Sequence, residues 1–271
     1  MNANQQIAIL GSGNIGLSLA KGLVTANICQ PSQVILTRRN IEALAEYEEQ
    51  GYQTTSANLK AVKKADIVVL AVLPQQLNKL LDEIKPAIKS EKQLLVSVIS
   101  GVSCDDIRRY LEMNIQVVRA MPNTAIAIGQ SMTCIATDNG SPKNVNLVRS
   151  LFNTVGVTIQ INEELMTSAT ALCACGIAFF LRSIRAASQG GTEIGFHAQD
   201  ALRMAAQTAK GAADLLLQLS SHPEQEIDKV TSPKGCTIAG LNEMEHHGFS
   251  SAMIKGIKFS AEKAGELYHE D

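Results

Sequence analysis

The sequence predicts an α/β fold in which an N-terminal doubly wound sheet is followed by an all-α C-terminal region. Short β-branched runs alternate with helical patterns over about the first 160 residues, the arrangement of a parallel sheet with crossover helices. The β-type runs stop after residues 157–161, and the remainder is Ala-, Leu- and Met-rich with helical periodicity. At 271 residues the chain is long enough for two ordinary domains. A boundary near residue 161 is therefore expected, giving domains 1–161 and 162–271.

Strands are expected at 6–10, 33–37, 66–71, 93–98, 115–120 and 157–161, where apolar and β-branched residues cluster. The helices between them are expected at 15–26, 41–50, 77–88 and 104–111, each with apolar residues at three-and-four spacing. Pro31-Ser32 punctuates the first crossover, and Ser103 with Asp106 forms a capping pattern before Tyr110. In the helical half, breaks are expected at Gly190-Gly191, His222-Pro223 and Ser232-Pro233. The stretch 169–181 is apolar nearly all round, so it is expected to be buried, most simply against a second subunit. At about 13 residues it falls short of the roughly 20 needed to cross a bilayer, so no membrane partner is expected.

A net charge of −2 with no long basic run argues against a nucleic-acid partner, as does an aromatic content of 4% with no Trp. Small molecules are the expected partners. The polar residues 1–6 lack the basic and apolar regions of a secretory signal, so a cytoplasmic location is expected. The six cysteines are scattered and suit reduced thiols. No metal site is expected: Cys173 and Cys175 have no ligand cluster at a matching spacing, and adjacent His246 and His247 face different ways on a helix. His197, His222 and His269 read as surface or capping residues.

The run Gly11-Ser12-Gly13-Asn14-Ile15-Gly16 directly follows a strand and opens a helix, the context that makes G-x-G-x-x-G a dinucleotide signature. Gly11 permits the tight turn, Gly13 the approach of a pyrophosphate, and Gly16 close packing of helix on strand. The second strand ends in Thr37-Arg38-Arg39-Asn40 rather than in the acidic residue expected of an NAD site. Two guanidiniums there suit the 2′-phosphate of NADP, although an arginine pair at a strand end also serves as a plain solvated turn. Ala71-Val72-Leu73-Pro74-Gln75 ends the third predicted strand at the edge where open α/β sheets bind ligands, so its backbone is expected beside the cofactor.

Residues 230–241 combine a Ser-Pro bend, Gly235 and a helix start near Ile238, with Thr237 as a candidate cap. Free N–H groups and hydroxyls would converge there on a small anion. Together with the glycine loop, this stretch closely resembles the substrate loop of pyrroline-5-carboxylate reductases, which make proline. The resemblance extends over nearly the whole chain and implies a Rossmann-like NADP-binding domain followed by an all-α dimerisation domain. It implies that Ser232 and the amides of Gly235, Cys236 and Thr237 bind the substrate carboxylate, and that the Thr237 hydroxyl donates to the ring nitrogen as the catalytic group; Lys234 either adds its charge to carboxylate binding or lies in solvent. It also places Asn123, in Met121-Pro122-Asn123-Thr124, near the nicotinamide carboxamide.

The chain departs from the family at several positions. Leu73 stands where Lys is usual, Ala125 where Pro is usual, and Lys234 where Gly is usual. The Ser-Gly-Ser-Gly-Pro of the family has become Cys173-Ala174-Cys175-Gly176-Ile177, so a more regular helix is expected there. The apolar setting of these cysteines argues for inert thiols. The implied activity is NADPH-dependent reduction of 1-pyrroline-5-carboxylate to L-proline by a homodimer or an oligomer built from dimers. An NADP-dependent reductase of another imine or small oxo or hydroxy acid, and a non-catalytic NADP-binding relative, remain the alternatives.

Overall fold

The computed structural model describes residues 5–268. Met1–Asn4 of the polar N-terminal segment and His269 lie outside the described residues. The strands are β1 (Ile7–Leu10), β2 (Val34–Thr37), β3 (Gln53–Thr55), β4 (Ile67–Leu70), β5 (Leu94–Ser97), β6 (Gln116–Met121), β7 (Ser131–Ala136) and β8 (Gly156–Gln160). They form one sheet in the order β3-β2-β1-β4-β5-β6-β7-β8. Helices α1 (Asn14–Thr25), α2 (Ala45–Glu49), α3 (Asn58–Lys64), α4 (Leu77–Ile84), α5 (Cys104–Leu111) and α6 (Pro142–Phe152) connect them.

The four adjacent strands β2, β1, β4 and β5 are buried along their whole length, which is why they read as largely apolar runs. Successive side chains leave a strand on opposite faces, so Ile7 and Ile9 pack with Leu19, Leu23 and Phe152, while Ala8 and Leu10 pack with Val62, Leu80 and Leu81. Parallel pairing aligns Leu10 with Thr37 on one side and with Leu70 on the other. The loops leaving β1, β2 and β4 therefore emerge side by side at one edge of the sheet.

Two strands and two helices escape the sequence pattern. β3 is three residues of Gln and Thr, too short and too polar to read as a strand. β7 pairs antiparallel with β6 and parallel with β8, so the sheet is mixed rather than wholly parallel as expected. Helices α3 and α6 accompany these strands. At α5 the capping pattern forms as expected: the Ser103 hydroxyl accepts from the Asp106 amide at 3.0 Å, and the Ser103 amide donates to the Asp106 carboxylate at 2.8 Å.

The last strand ends at Gln160, whereas packing divides the chain into one compact unit up to Cys175 together with residues from Phe259 on, and a second unit, Gly176–Lys258. In the first unit, α7 (Met166–Ala169) passes directly into a π-helix, Thr170–Cys175. The more regular helix expected here is thus replaced by a widened turn. Two polar groups hold it: the Thr170 hydroxyl donates to the Met166 carbonyl at 2.9 Å, and the Asn123 side-chain amide donates to the Cys173 carbonyl at 3.3 Å.

The second unit comprises α8 (Gly176–Glu193), α9 (Ala198–Leu219), α10 (Pro223–Lys229), α11 (Cys236–His246) and most of α12 (Phe249–Gly265). The break expected at Gly190-Gly191 is absent, because α8 runs through both. A Cβ on Gly191 would lie 3.1 Å from the Ala201 Cβ, so this glycine serves close helix packing instead. The helical run Glu163–Glu193 spans 31 residues and contains an 18-residue stretch with a mean hydropathy of 1.6. By length and composition it could cross a membrane, contrary to the estimate from 169–181 alone. Leu172, Phe180 and Leu181 are exposed on this single chain, so the complete burial expected of the segment is not met within it.

Candidate active site

The loops that leave β1, β2 and β4 line a cavity of about 810 Å³. Gly11, Ser12, Gly13, Asn14 and Ile15 form one wall, Thr37, Arg38 and Arg39 a second, and Ala71, Val72, Leu73 and Pro74 a third. The sequence-predicted cofactor residues of the three loops thus come together, apart from Gly16, which lies beneath the wall.

Each glycine of the first loop meets a different constraint. Gly11 has φ +90°, and a Cβ there would lie 2.6 Å from the Ala71 carbonyl oxygen. Nothing lies within 4 Å of where a Cβ on Gly13 would be, so its backbone face is open. At Gly16 a Cβ would meet the Ile9 side chain at 2.8 Å, the close approach of α1 to β1. Gly13 is the N-cap of α1, no side chain caps it, and the first N–H groups of the helix lack intrahelical acceptors. An open glycine face beside these N–H groups is a cradle that fits a pyrophosphate.

Ser12 and Thr37 are buried and act on the loop rather than through free hydroxyls. The Ser12 hydroxyl donates to the Ile9 carbonyl at 3.3 Å, and its amide donates to the Thr37 carbonyl at 2.8 Å. The Thr37 hydroxyl donates to the Asn58 side-chain oxygen at 2.6 Å. Arg38 and Arg39 are exposed at the mouth of the cavity, where they add positive charge. Leu73, where the resembled family has Lys, is 63% exposed and lines the cavity.

Sequence reasoning missed Ser56, Asn58 and Lys79, which also line the cavity. Ser56 and Asn58 follow the unrecognised β3, and the Asn58 amide donates to Glu83 at 2.9 Å. Recognition of a short edge strand at 53–55 would have brought them to the same sheet edge.

Asn123 is not among the residues lining this cavity. Its side-chain oxygen accepts from the Ala125 amide at 3.1 Å and its side-chain nitrogen donates to the Cys173 carbonyl, so it joins the turn after β6 to the π-helix. Cys173 is not a plain apolar thiol. Its sulfur lies 3.8 Å from that of Cys134, and the hydrogen bond between them lowers the Cys173 pKa while it raises that of Cys134. Burial also pushes Cys134 up.

Among the described residues, Cys104, Asp138 and Glu163 present ligand atoms within 4.8 Å of one another, a grouping invisible in the sequence. Arg119 and Arg108 already pair with these carboxylates, at Glu163 and Asp138 respectively, which accounts for the cluster as an ion-pair network. His222 caps α10, accepting from the Glu224 amide at 3.3 Å, and His247, the C-cap of α11, pairs with Glu243 of that helix.

In the second unit, residues 230–241 form a turn followed by a helix. The Gly235 amide donates to the Ser232 carbonyl at 2.9 Å, with Pro233 at the second turn position and Lys234 at the third. Lys234 has φ +59°, the left-handed conformation that a type II turn demands there. Helix α11 begins at Cys236 with Gly235 as N-cap, so Thr237 lies inside the first turn and does not cap a helix starting near Ile238. A Cβ on Gly235 would lie 2.6 Å from the Ser232 hydroxyl oxygen. Ser232, Lys234 and Cys236 are exposed and Thr237 is half-buried, next to the unpartnered N–H groups of the α11 first turn. The arrangement offers hydroxyls and amides to a carboxylate.

Residues 163–267 match the family described as pyrroline-5-carboxylate reductase dimerisation, and residues 6–101 match that described as NADP oxidoreductase coenzyme F420-dependent. Pyrroline-5-carboxylate reductase 2 of Dictyostelium discoideum is 48% identical over 279 residues, which cover 97% of this chain and 93% of that protein. Pyrroline-5-carboxylate reductase 1 of the same organism is 53% identical, but the match covers 97% of this chain and only 50% of that protein. The structure of a pyrroline-5-carboxylate reductase from Coxiella burnetii superposes with a TM-score of 0.90 at 27% identity, covering 98% of this chain and 100% of that one. The chain belongs to the pyrroline-5-carboxylate reductase family.

Proposed function

We propose that this chain reduces 1-pyrroline-5-carboxylate to L-proline with NADPH, in the cytoplasm, as a step of proline biosynthesis. The observation that carries the reading is the presence, in one chain of this family, of two anion cradles built on helix N-termini: residues 11–16 at α1 and residues 232–237 at α11. In this reading residues 1–161 serve the cofactor and 162–271 serve substrate binding and dimerisation. The exposed apolar residues of the 163–193 helical run pack against a second copy of the chain, which makes a homodimer the smallest assembly.

The Gly11–Gly16 loop and the first amides of α1 hold the pyrophosphate, and Arg38 and Arg39 hold the 2′-phosphate. Bound NADPH would supply the hydride to the imine carbon of the substrate, and the ring nitrogen would gain the balancing proton from solvent as the C=N bond is reduced. The Ser232 hydroxyl and the amides of Gly235, Cys236 and Thr237 fix the substrate carboxylate, with the Lys234 charge beside them. The Thr237 hydroxyl donates a hydrogen bond to the ring nitrogen, so the ring is oriented without a strong general acid. No metal enters this scheme.

The test is NADPH oxidation driven by 1-pyrroline-5-carboxylate, with proline detected as product. Tight NADPH binding without consumption would overturn the reading. The π-helix at Thr170–Cys175, where family serines have become cysteines, favours a second reading in which a different imine is the substrate; faster turnover on another member of an imine panel would establish it.

A further inference from the structure

Cys134 and Cys173 stand opposite each other in the first unit, one on the buried β7 and the other on the half-buried π-helix. Their sulfurs lie 3.8 Å apart although the residues are 39 positions apart in sequence. A bridge needs a separation of about 2 Å, so the two sulfurs, already in contact, have to close by roughly another 2 Å. We propose that Cys134 and Cys173 form a reversible disulfide when the protein meets a peroxide, and that the bond ties the π-helix to β7 beside Asn123.

Three features make this pair suited to the chemistry. Cys173 is the more accessible of the two residues, and the sulfur–sulfur hydrogen bond with Cys134 favours its thiolate, the form that attacks peroxide. The resolving sulfur is already in contact, so a sulfenic acid formed on Cys173 is captured before further oxidation. The π-helix is a widened turn able to adjust, whereas β7 is held between β6 and β8. The bridging motion therefore falls on Cys173, whose carbonyl accepts the Asn123 amide.

The steps balance. The Cys173 thiolate attacks one peroxide oxygen: an S–O bond forms, the O–O bond breaks, and the leaving hydroxide takes a proton to become water. Cys134 sulfur then attacks the sulfenic sulfur: the S–S bond forms, the S–O bond breaks, and the departing hydroxide takes the Cys134 proton as a second water. Two thiols lose two electrons and two protons in all, and one peroxide is reduced to two waters. A dithiol reductant reverses the change by exchange.

The modification does not depend on which substrate the protein turns over, so its test is chemical. The intact protein is treated with hydrogen peroxide, its remaining thiols are blocked, and peptides are mapped by mass spectrometry without reduction. The expected product is a cross-linked peptide pair carrying Cys134 and Cys173, two hydrogens lighter than the thiol forms and lost after dithiothreitol. Free thiols titrated in denaturant should fall by two from the six of the untreated chain and return on reduction. In Cys134→Ser the same treatment should leave Cys173 as a dithiothreitol-resistant higher oxide. Oxidation of wild type that stops at isolated oxides, or a bridge between two chains on a non-reducing gel, would overturn the proposal; the wild-type measurements decide it even if the variant does not fold.

Discussion

The carbonyl oxygen of Ala71 lies 2.6 Å from where a Cβ on Gly11 would stand, so the loops after β1 and β4 touch backbone to backbone. With φ +90° at Gly11, a side chain there would be both strained and crowded. Gly11→Ala is expected to cost about 1–3 kcal/mol and to weaken NADPH binding, because relief requires the two walls of the cavity to part. Thermal melting and fluorescence titration with NADPH measure the two effects; wild-type values in both would show that the contact is soft.

Arg38 and Arg39 lie at the end of β2 in the segment Thr37-Arg38-Arg39-Asn40, which carries no acidic residue of its own, and they line the cavity. Charge-assisted hydrogen bonds are worth about 1.5–3 kcal/mol, so the Arg38→Ala/Arg39→Ala double variant should bind NADPH roughly 10- to 100-fold more weakly. Affinity for NADH should change little. Equal losses for both cofactors would remove the 2′-phosphate from the account.

Thr237 lies in the first turn of α11 rather than at its cap. Removing its hydroxyl should therefore spare the helix and act on turnover. Thr237→Ala is expected to lower kcat about fivefold, in line with one lost hydrogen bond of roughly 1 kcal/mol, while NADPH affinity stays as in the wild type. An unchanged kcat in steady-state assays would exclude the hydroxyl from the mechanism.

Lys234 holds φ +59° without the freedom of a glycine. Lys234→Gly should raise stability by up to about 1 kcal/mol, offset in part by the greater freedom of the unfolded chain. Lys234→Val should lower it. Chemical denaturation of the pair decides: the same order for both variants would mean that the turn relaxes at no cost.

Asp138 pairs with Arg108, and this hydrogen bond holds its pKa below the ordinary carboxylate value. A depressed folded pKa gives stability that is fully present above the unfolded value, about 3.9, and is lost as pH falls through the folded one. Asp138→Asn should thus be less stable than wild type at neutral pH, and the gap should narrow in acid below about pH 4. Denaturation midpoints measured from neutral pH to about pH 2 would show the convergence; parallel curves would mean that the pair does not govern acid sensitivity.

The legible parts of the fold were those in which one local rule dominates. β1 followed by Gly11 and Gly13 is strand, turn and helix start in consecutive residues, and Ser103 with Asp106 is a cap written in four. β3 and β7 were not legible because their pairing, not their composition, makes them strands: Gln53–Thr55 has little apolar character, and Ser131–Ala136 mixes Ser, Thr and Cys. α6 did carry a readable signal, Ser141 as cap and Pro142 at the first helical position. The π-helix could not be foreseen, since the Asn123 amide that meets it comes from 50 residues away. At the site, the loop ends of β1, β2 and β4 followed from strand pattern alone, whereas Asn58 depended on a strand too short to notice.

The return of the chain from Phe259 to the nucleotide-binding unit has a consequence for anyone wishing to dissect the protein. A Cβ on Gly101 would lie 3.0 Å from the Ala264 carbonyl oxygen, and the Tyr268 hydroxyl donates to Asn78 at 2.9 Å, so the final helix is stitched into the first half. A single cut after the sheet cannot release an intact nucleotide-binding fragment, because it discards a segment on which that fragment's surface is built. A workable excision would have to loop out the intervening helices and rejoin the chain near residue 259.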